Sequence, residues 1–149
     1  MIIAIGSDHG GIVLKPLIVE YLKSQNIEVI DVGCYTTESV DYPVYALKVC
    51  NLINDGEADK GILLCGTGIG VSIAANKVKG IRAAVVSDEF CAEKCAEHNN
   101  ANVLCLGGRV VTPEKAVRLV DIWLNTPFAE GRHSKRIQMI SDIESAKMK

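Results

Sequence analysis

Cys65 is followed at once by Gly66-Thr67-Gly68-Ile69-Gly70 and preceded by the apolar run Ile62-Leu63-Leu64. Beyond the glycines, Val71, Ala74, Ala75 and Val78 recur at helical spacing. A buried strand that breaks into glycines and then a helix turns several backbone N–H groups toward one spot. Such a spot binds an anion, or stabilises an oxyanion as it forms. The positive helix terminus favours a thiolate beside it, so Cys65 is placed to act as nucleophile or base. The same residues also suit packing, because glycines let a strand and helix approach closely and a strand-end cysteine is a small hydrophobe. The run is not a Walker A loop, since no Gly-Lys-Ser/Thr closes it, and its glycine spacing differs from the dinucleotide fingerprint.

The chain holds three histidines. His9, in Ser7-Asp8-His9-Gly10-Gly11, is flanked by glycine and free to meet a ligand, or else caps the following helix. His98, before Asn99-Asn100, is either a cation at a helix C-terminus or a general acid or base. His133 lies among Arg132, Lys135 and Arg136 and is expected on the solvated surface. Arg132 and Arg136 are one helical turn apart, so their two planar guanidinium forks make a phosphate clamp, or an ordinary basic face. Cys91, Cys95 and His98 share a helical face, but no fourth ligand is offered nearby. Two thiols packing inward with a histidine at the helix end is the expected arrangement, and no metal is expected.

The elements that must position these groups follow from the hydrophobic pattern. Strands are expected at Ile2–Ile5, Ile27–Val32, Ile62–Leu64, Ile81–Val86 and Val103–Leu106. Helices are expected between them: one with Leu14, Leu17, Ile18, Tyr21 and Leu22 on its face, one from about Tyr42 to Ile53 capped by Asp41, and one reaching about Lys77. Ser87-Asp88 starts a further helix ending near His98, and Thr112-Pro113-Glu114 starts another lined by Val117, Val120, Trp123 and Leu124. A last, charged helix begins at Gly131 with Ile137, Ile140 and Ile143 as its apolar stripe. Five strands alternating with helices predict a three-layer α/β/α Rossmann-like fold: a five-stranded parallel sheet, plus an extra C-terminal helix. Ligands of such sheets sit beyond the carboxyl ends of the strands. That edge receives Asp8, His9, Cys65 to Gly70, Ser87, Asp88 and Arg109.

With 149 residues and no repeat or linker, one domain over 1–149 is expected. A hydrophobic content of 48% with few aromatics suits a buried parallel sheet. A formal net charge of −2 argues against non-specific nucleic-acid binding, and no apolar run reaches membrane-spanning length. Six cysteines without a CxxC pair, and a start without a basic leader, predict reduced thiols and a cytoplasmic location.

Taken together, GSDHGG at Gly6–Gly11, CGTGIG at Cys65–Gly70, EHNNANVLCLGGR at Glu97–Arg109 and the Arg132/Arg136 pair closely resemble ribose-5-phosphate isomerases of the B type. Related sugar-phosphate isomerases, including galactose-6-phosphate isomerase subunits, share that fold. The resemblance covers essentially the whole chain. It implies interconversion of ribose 5-phosphate and ribulose 5-phosphate through an enediolate, without cofactor or metal. It implies Cys65 as the base, where other members use a glutamate elsewhere. His98 would open the furanose ring with Asp8 assisting, and Thr67 would relay a proton between the two sugar oxygens. His9, Arg109, Arg132 and Arg136 match phosphate-binding positions, Asn99 matches a sugar contact, and Tyr42 borders the pocket. The backbone from Gly66 through Gly68, Ile69 and Gly70 would face the enediolate oxygen. The partner implied is a second copy, in a homodimer with the active site at its interface or a tetramer of such dimers. Isomerisation of a six-carbon sugar phosphate (allose or galactose 6-phosphate), or non-catalytic sensing of a phosphorylated ligand, are the rival readings.

Overall fold

The computed structural model describes residues 1–148. Its elements are β1 (Ile2–Ser7), α1 (Lys15–Ser24), β2 (Glu28–Asp31), α2 (Tyr42–Asn54), β3 (Lys60–Cys65), α3 (Ile69–Ala75), β4 (Ala83–Val85), α4 (Glu89–Glu97), β5 (Val103–Gly107), α5 (Pro113–Asn125) and α6 (Arg132–Glu144). A short 3-10 turn at Ile12–Leu14 leads into α1. The strands form one sheet in the order β2-β1-β3-β5-β4, every neighbouring pair parallel.

Alternation along the strands divides the core in two, as successive side chains point to opposite faces. Ile3, Ile5, Ile62, Leu64, Leu104 and Leu106 point to one face, where α1, α4 and α5 cover them with Ile18, Leu22, Ala92, Leu119 and Trp123. Ala4, Leu63, Val103 and Cys105 point to the other, where α2 and α3 supply Ala46, Val49, Val71 and Ala75. Small residues on that second face let α2 and α3 lie close to the sheet. Each fully buried Leu or Ile contributes about 1.5–3 kcal/mol of transfer free energy, so these two layers hold the strand ends in fixed register.

The expected α/β/α architecture stands, with differences at the margins. β1 runs on to Ser7, β4 shrinks to Ala83–Val85, and α3 stops at Ala75 rather than near Lys77. Leu17, expected on the buried face of α1, is exposed, because Leu14 enters the core from the 3-10 turn instead. Asp88 and Thr112 cap α4 and α5 through their side chains, accepting from Cys91 N and Lys115 N. Asp41 holds the cap position of α2 without a side-chain bond. Among the described residues no helix is long and apolar enough to cross a membrane.

Candidate active site

The strand order changes direction at β1 and β3. The chain leaves β1 to one side for β2 and crosses to the other side for β3, and at such a point the loops diverge and leave a crevice. Asp8 follows β1 and is 7% exposed. Its N–H donates to Leu64 O, while its Oδ1 accepts the N–H groups of Gly10 (2.8 Å) and Gly11 (3.1 Å). One carboxylate oxygen therefore shapes the loop and the other is left for a ligand. Beside it, His9 Nδ1 accepts the N–H of Val40 at 3.2 Å. A ring that accepts at Nδ1 carries its proton on Nε2, so His9 presents a donor, as an anion requires.

Cys65 ends β3 with 4% of its surface exposed, and the N–H of Gly68 donates to its Sγ at 3.1 Å. Gly68 has φ +80°, the left-handed region that turns this N–H back toward the sulfur. The Ile69 N–H turns to Thr67 Oγ1 at 3.2 Å. Two of the five N–H groups expected to face an oxyanion are thus engaged inside the loop. Those of Gly66, Thr67 and Gly70 have no protein acceptor among the described residues. Arg109 donates its N–H to Gly66 O, and a β carbon built on Gly66 would stand 3.1 Å from its Nη1, so the guanidinium lies across the loop. The Tyr42 ring covers Gly70, where an added β carbon would meet it at 2.7 Å. The structure therefore brings Asp8, His9, Tyr42, Cys65, Gly66, Thr67, Gly68, Ile69, Gly70 and Arg109 to one edge. Burial pushes the Cys50 and Cys95 thiols up to about 11 and Cys105 well above its ordinary range, so these three stay protonated in the core.

The remaining candidates are elsewhere. α4 runs back from the carboxyl edge to reach the start of β5, so His98, its C-terminal cap, lies at the amino edge. Arg82, just before β4, fixes that turn by donating to Asn99 O and Asn100 O at 2.9–3.2 Å. β3 is six residues long, which at about 3.3 Å per residue separates its two ends by roughly 16 Å. His98 and Asn99 are joined there by α6, which carries the exposed Arg132 and Arg136. His133, expected on the surface, is 7% exposed and stacks on His98 with ring centroids 4.3 Å apart and planes 10° from parallel. It is the one buried residue of α6 among those described. The flanking charge run hid it, because burial here is set by the end of α4 and not by any stripe on α6. Cys91, expected to pack inward with Cys95, is exposed in the first turn of α4. Among the described residues no group of three His, Cys, Asp or Glu is placed to hold a metal ion.

A family model described as Ribose/Galactose Isomerase matches residues 3–140. This chain belongs to that family. Its members include ribose-5-phosphate isomerase B of Escherichia coli, 49% identical over 142 residues that cover 95% of each chain. The solved structure of ribose-5-phosphate isomerase B from Clostridium thermocellum superposes with a TM-score of 0.96 at 52% identity, covering 99% of both chains. That of the Mycoplasma genitalium enzyme, solved with bound ribulose-5-phosphate, gives 0.92 at 44% identity, covering 97% of this chain and 96% of the other. The family's sheet and helices are thus present from end to end.

Beyond the residues named from the sequence, Lys15 is a functional neighbour that sequence reasoning missed. The residue is 6% exposed, and its ammonium bonds Asp31 Oδ1 at 3.0 Å and Cys34 O and lies over the Tyr35 ring. This ties down the loop that brings Val40 to His9. A lysine inside an apolar helical face was the available signal.

Proposed function

We infer that this chain is an aldose–ketose isomerase that interconverts ribose 5-phosphate and ribulose 5-phosphate. One observation carries the chemical assignment: the Cys65 sulfur receives the Gly68 N–H at the β1/β3 crevice, beside N–H groups that have no acceptor among the described residues. Full-length likeness to relatives named for this reaction, one holding ribulose-5-phosphate, supports the substrate.

Isomerisation moves one proton between adjacent carbons, so it needs a single base and a home for negative oxygen. The Cys65 thiolate takes the proton from carbon 2, and the electron pair forms the carbon 1–carbon 2 double bond. The carbonyl oxygen on carbon 1 becomes the enediolate oxygen, facing the free N–H groups of Gly66, Thr67 and Gly70. Thr67 passes the hydroxyl proton from the oxygen on carbon 2 to that on carbon 1. The Cys65 thiol then returns its proton to carbon 1. Before this, the bond between carbon 1 and the furanose ring oxygen breaks: His98 gives the ring oxygen a proton, and the carbon 1 hydroxyl gives its proton to the free Asp8 oxygen as the carbonyl forms. Tyr42 walls the pocket, Asn99 contacts the sugar, and His9, Arg109, Arg132 and Arg136 take the phosphate.

These roles fall at two edges of one chain, farther apart than one sugar phosphate reaches. We therefore propose a homodimer in which the carboxyl edge of one copy faces the amino edge of the other, each pair forming one active site. The exposed Val44, Leu47, Ile69 and Ile73 on α2 and α3, and Ile140 and Ile143 on α6, support such burial. Six unpaired thiols suit a reducing, cytoplasmic setting. Ketose formation from ribose 5-phosphate by the purified protein tests the reaction. Cys65→Ala is expected to lower kcat by about 10³-fold or more with sugar-phosphate binding retained, the scale of a lost general base. Near-normal turnover of that variant would remove Cys65 from the role.

A further inference from the structure

We propose that Arg82 is a positioning residue for Asn99: its guanidinium caps α4 from a neighbouring segment and so sets the direction in which the Asn99 amide meets the sugar. The proposal rests on the reading that Asn99 contacts the sugar, and it assigns that contact a support that touches no substrate itself.

A helix ends with carbonyls that have no donor of their own, and its negative end favours a cation. At the end of α4 the chain supplies part of the remedy. The Asn100 N–H donates to Ala96 O at 3.1 Å and the Ala101 N–H to Cys95 O at 2.9 Å. In making those bonds Asn100 takes φ +45°, the left-handed region, which is strained for most side chains and least so for asparagine and aspartate. The turn carries the Asn99 and Asn100 carbonyls past the helix, beyond reach of its own N–H groups. Arg82 meets both: its Nε donates to Asn99 O at 3.2 Å and to Asn100 O at 3.1 Å, and its Nη2 to Asn100 O at 2.9 Å. A rigid planar fork reaches two carbonyls at once, which a single ammonium holds less firmly.

The fork is itself firmly rooted. The Arg82 N–H donates to Asn102 Oδ1 at 2.7 Å, and Asn102 Nδ2 donates to Gly80 O at 3.0 Å, so the two segments brace each other. Asn99 has no such support of its own. It is exposed, it lines the cavity between α6 and the start of β4, and among the described residues its amide bonds no other group. The backbone alone decides where that amide points, and Arg82 holds the backbone there. Once released, the turn samples other directions, and the sugar has to order it on binding. The loss falls on the contact made by Asn99: Cys65 stands at the opposite edge of the sheet, and the arginines of α6 are on another element.

A double-mutant cycle in the intact protein tests the link. Asn99→Ala is expected to lower kcat/KM for ribose 5-phosphate about 10-fold, the scale of one hydrogen bond to substrate, and Arg82→Met about 5-fold. Together they should do no more than Asn99→Ala alone, within about 2-fold, because a misaimed amide and a missing one are the same loss. Affinity for inorganic phosphate, read by calorimetric titration, should stay within about 2-fold of the parent in Arg82→Met, since the phosphate's own partners are untouched. An unimpaired Arg82→Met variant, a combined loss of about 50-fold (the product of the two), or weakened phosphate binding by Arg82→Met would overturn the positioning role. Should Arg82→Met fail to fold, Arg82→Lys takes its place in the cycle with about 3-fold expected and the same outcomes read. Parent-like turnover of Asn99→Ala would overturn the sugar contact itself. An impaired Asn99→Ala beside losses that multiply would overturn only the present proposal.

Discussion

The carboxyl edge of the sheet and its amino edge carry chemistry in different materials. At the carboxyl edge the chemical groups are mostly backbone: N–H groups of Gly66 to Gly70, a loop carboxylate bonded to two amides, and one sulfur at a strand end. Their positions are set by strand register and by glycines that allow loops to approach, so they are rigid by construction. At the amino edge the groups are long side chains, two histidines and two arginines, on the end of α4 and on α6. They are held by a ring stack, by Gly80 N–H bonds to Glu144 at 3.0 and 3.1 Å, and by bonds that Arg82, Lys94 and Ala129 make to the end of α4. A cavity of about 690 Å³ lies between α6 and the start of β4, lined by Arg82, Asn99, Ile140 and Ile143 among others. The rigid edge suits covalent proton chemistry, which tolerates little misplacement, and the looser edge suits capture of a phosphate and opening of a ring.

The sharpest way to break this comparison is to disable each edge in a different copy. Cys65→Ala and His98→Ala, each inactive alone, should recover roughly a quarter of the parent activity when co-expressed, since half the dimers are mixed and each mixed dimer holds one intact site. That is a gain of more than about 100-fold over either variant, given the size of a lost acid or base. No recovery in a sample shown to contain mixed dimers would place both edges in separate functions or within one chain's own site.

The two edges were also unequally legible from sequence. Strand–glycine–helix turns are local, so the residue order around Cys65 and Asp8 already specifies which way the N–H groups turn. Short apolar runs specified the strands, because a sheet covered by helices on both faces is apolar at nearly every strand position. What they did not reveal was how the Cys65 loop spends its own donors, as with Ile69 on Thr67. His133 was illegible for a different reason. Nothing in Arg-His-Ser-Lys-Arg distinguishes the histidine from its neighbours, and its burial depends on where α4 ends, a tertiary fact. Arg82 and Lys15 were passed over likewise, since their partners, backbone carbonyls for Arg82 and Asp31 with Cys34 O for Lys15, come from segments distant in sequence.

A smaller effect is expected at the phosphate clamp. Arg136→Ala should weaken binding of ribose 5-phosphate by about 10- to 100-fold, the worth of a charge-assisted bond of about 1.5–3 kcal/mol, and leave free ribose nearly unchanged. Calorimetric titration with both sugars reads the difference, and equal losses would move phosphate recognition off α6 and back to the carboxyl edge.

The smallest effect concerns acid. His133 is held below its ordinary value of 6.5 by burial first, and then by His98, Arg132 and Arg136, with Glu97 opposing. The unfolded chain therefore binds this proton more readily than the folded one. Stability from this group is complete above 6.5 and is lost as pH falls through the lower folded value. The rest of the core has no such dependence on α6, so mild acid should loosen the amino edge before the sheet. Opening of α6, read from amide exchange corrected for the pH dependence of the intrinsic rate, should rise between about pH 7 and about pH 5.5 while opening of β1, β3 and β5 stays rare. His133→Phe removes the titrating group and keeps the ring, and should flatten that rise. If the Phe variant loosened with acid as steeply as the parent, the charge responsible would lie with another group of the amino edge, Glu97 foremost.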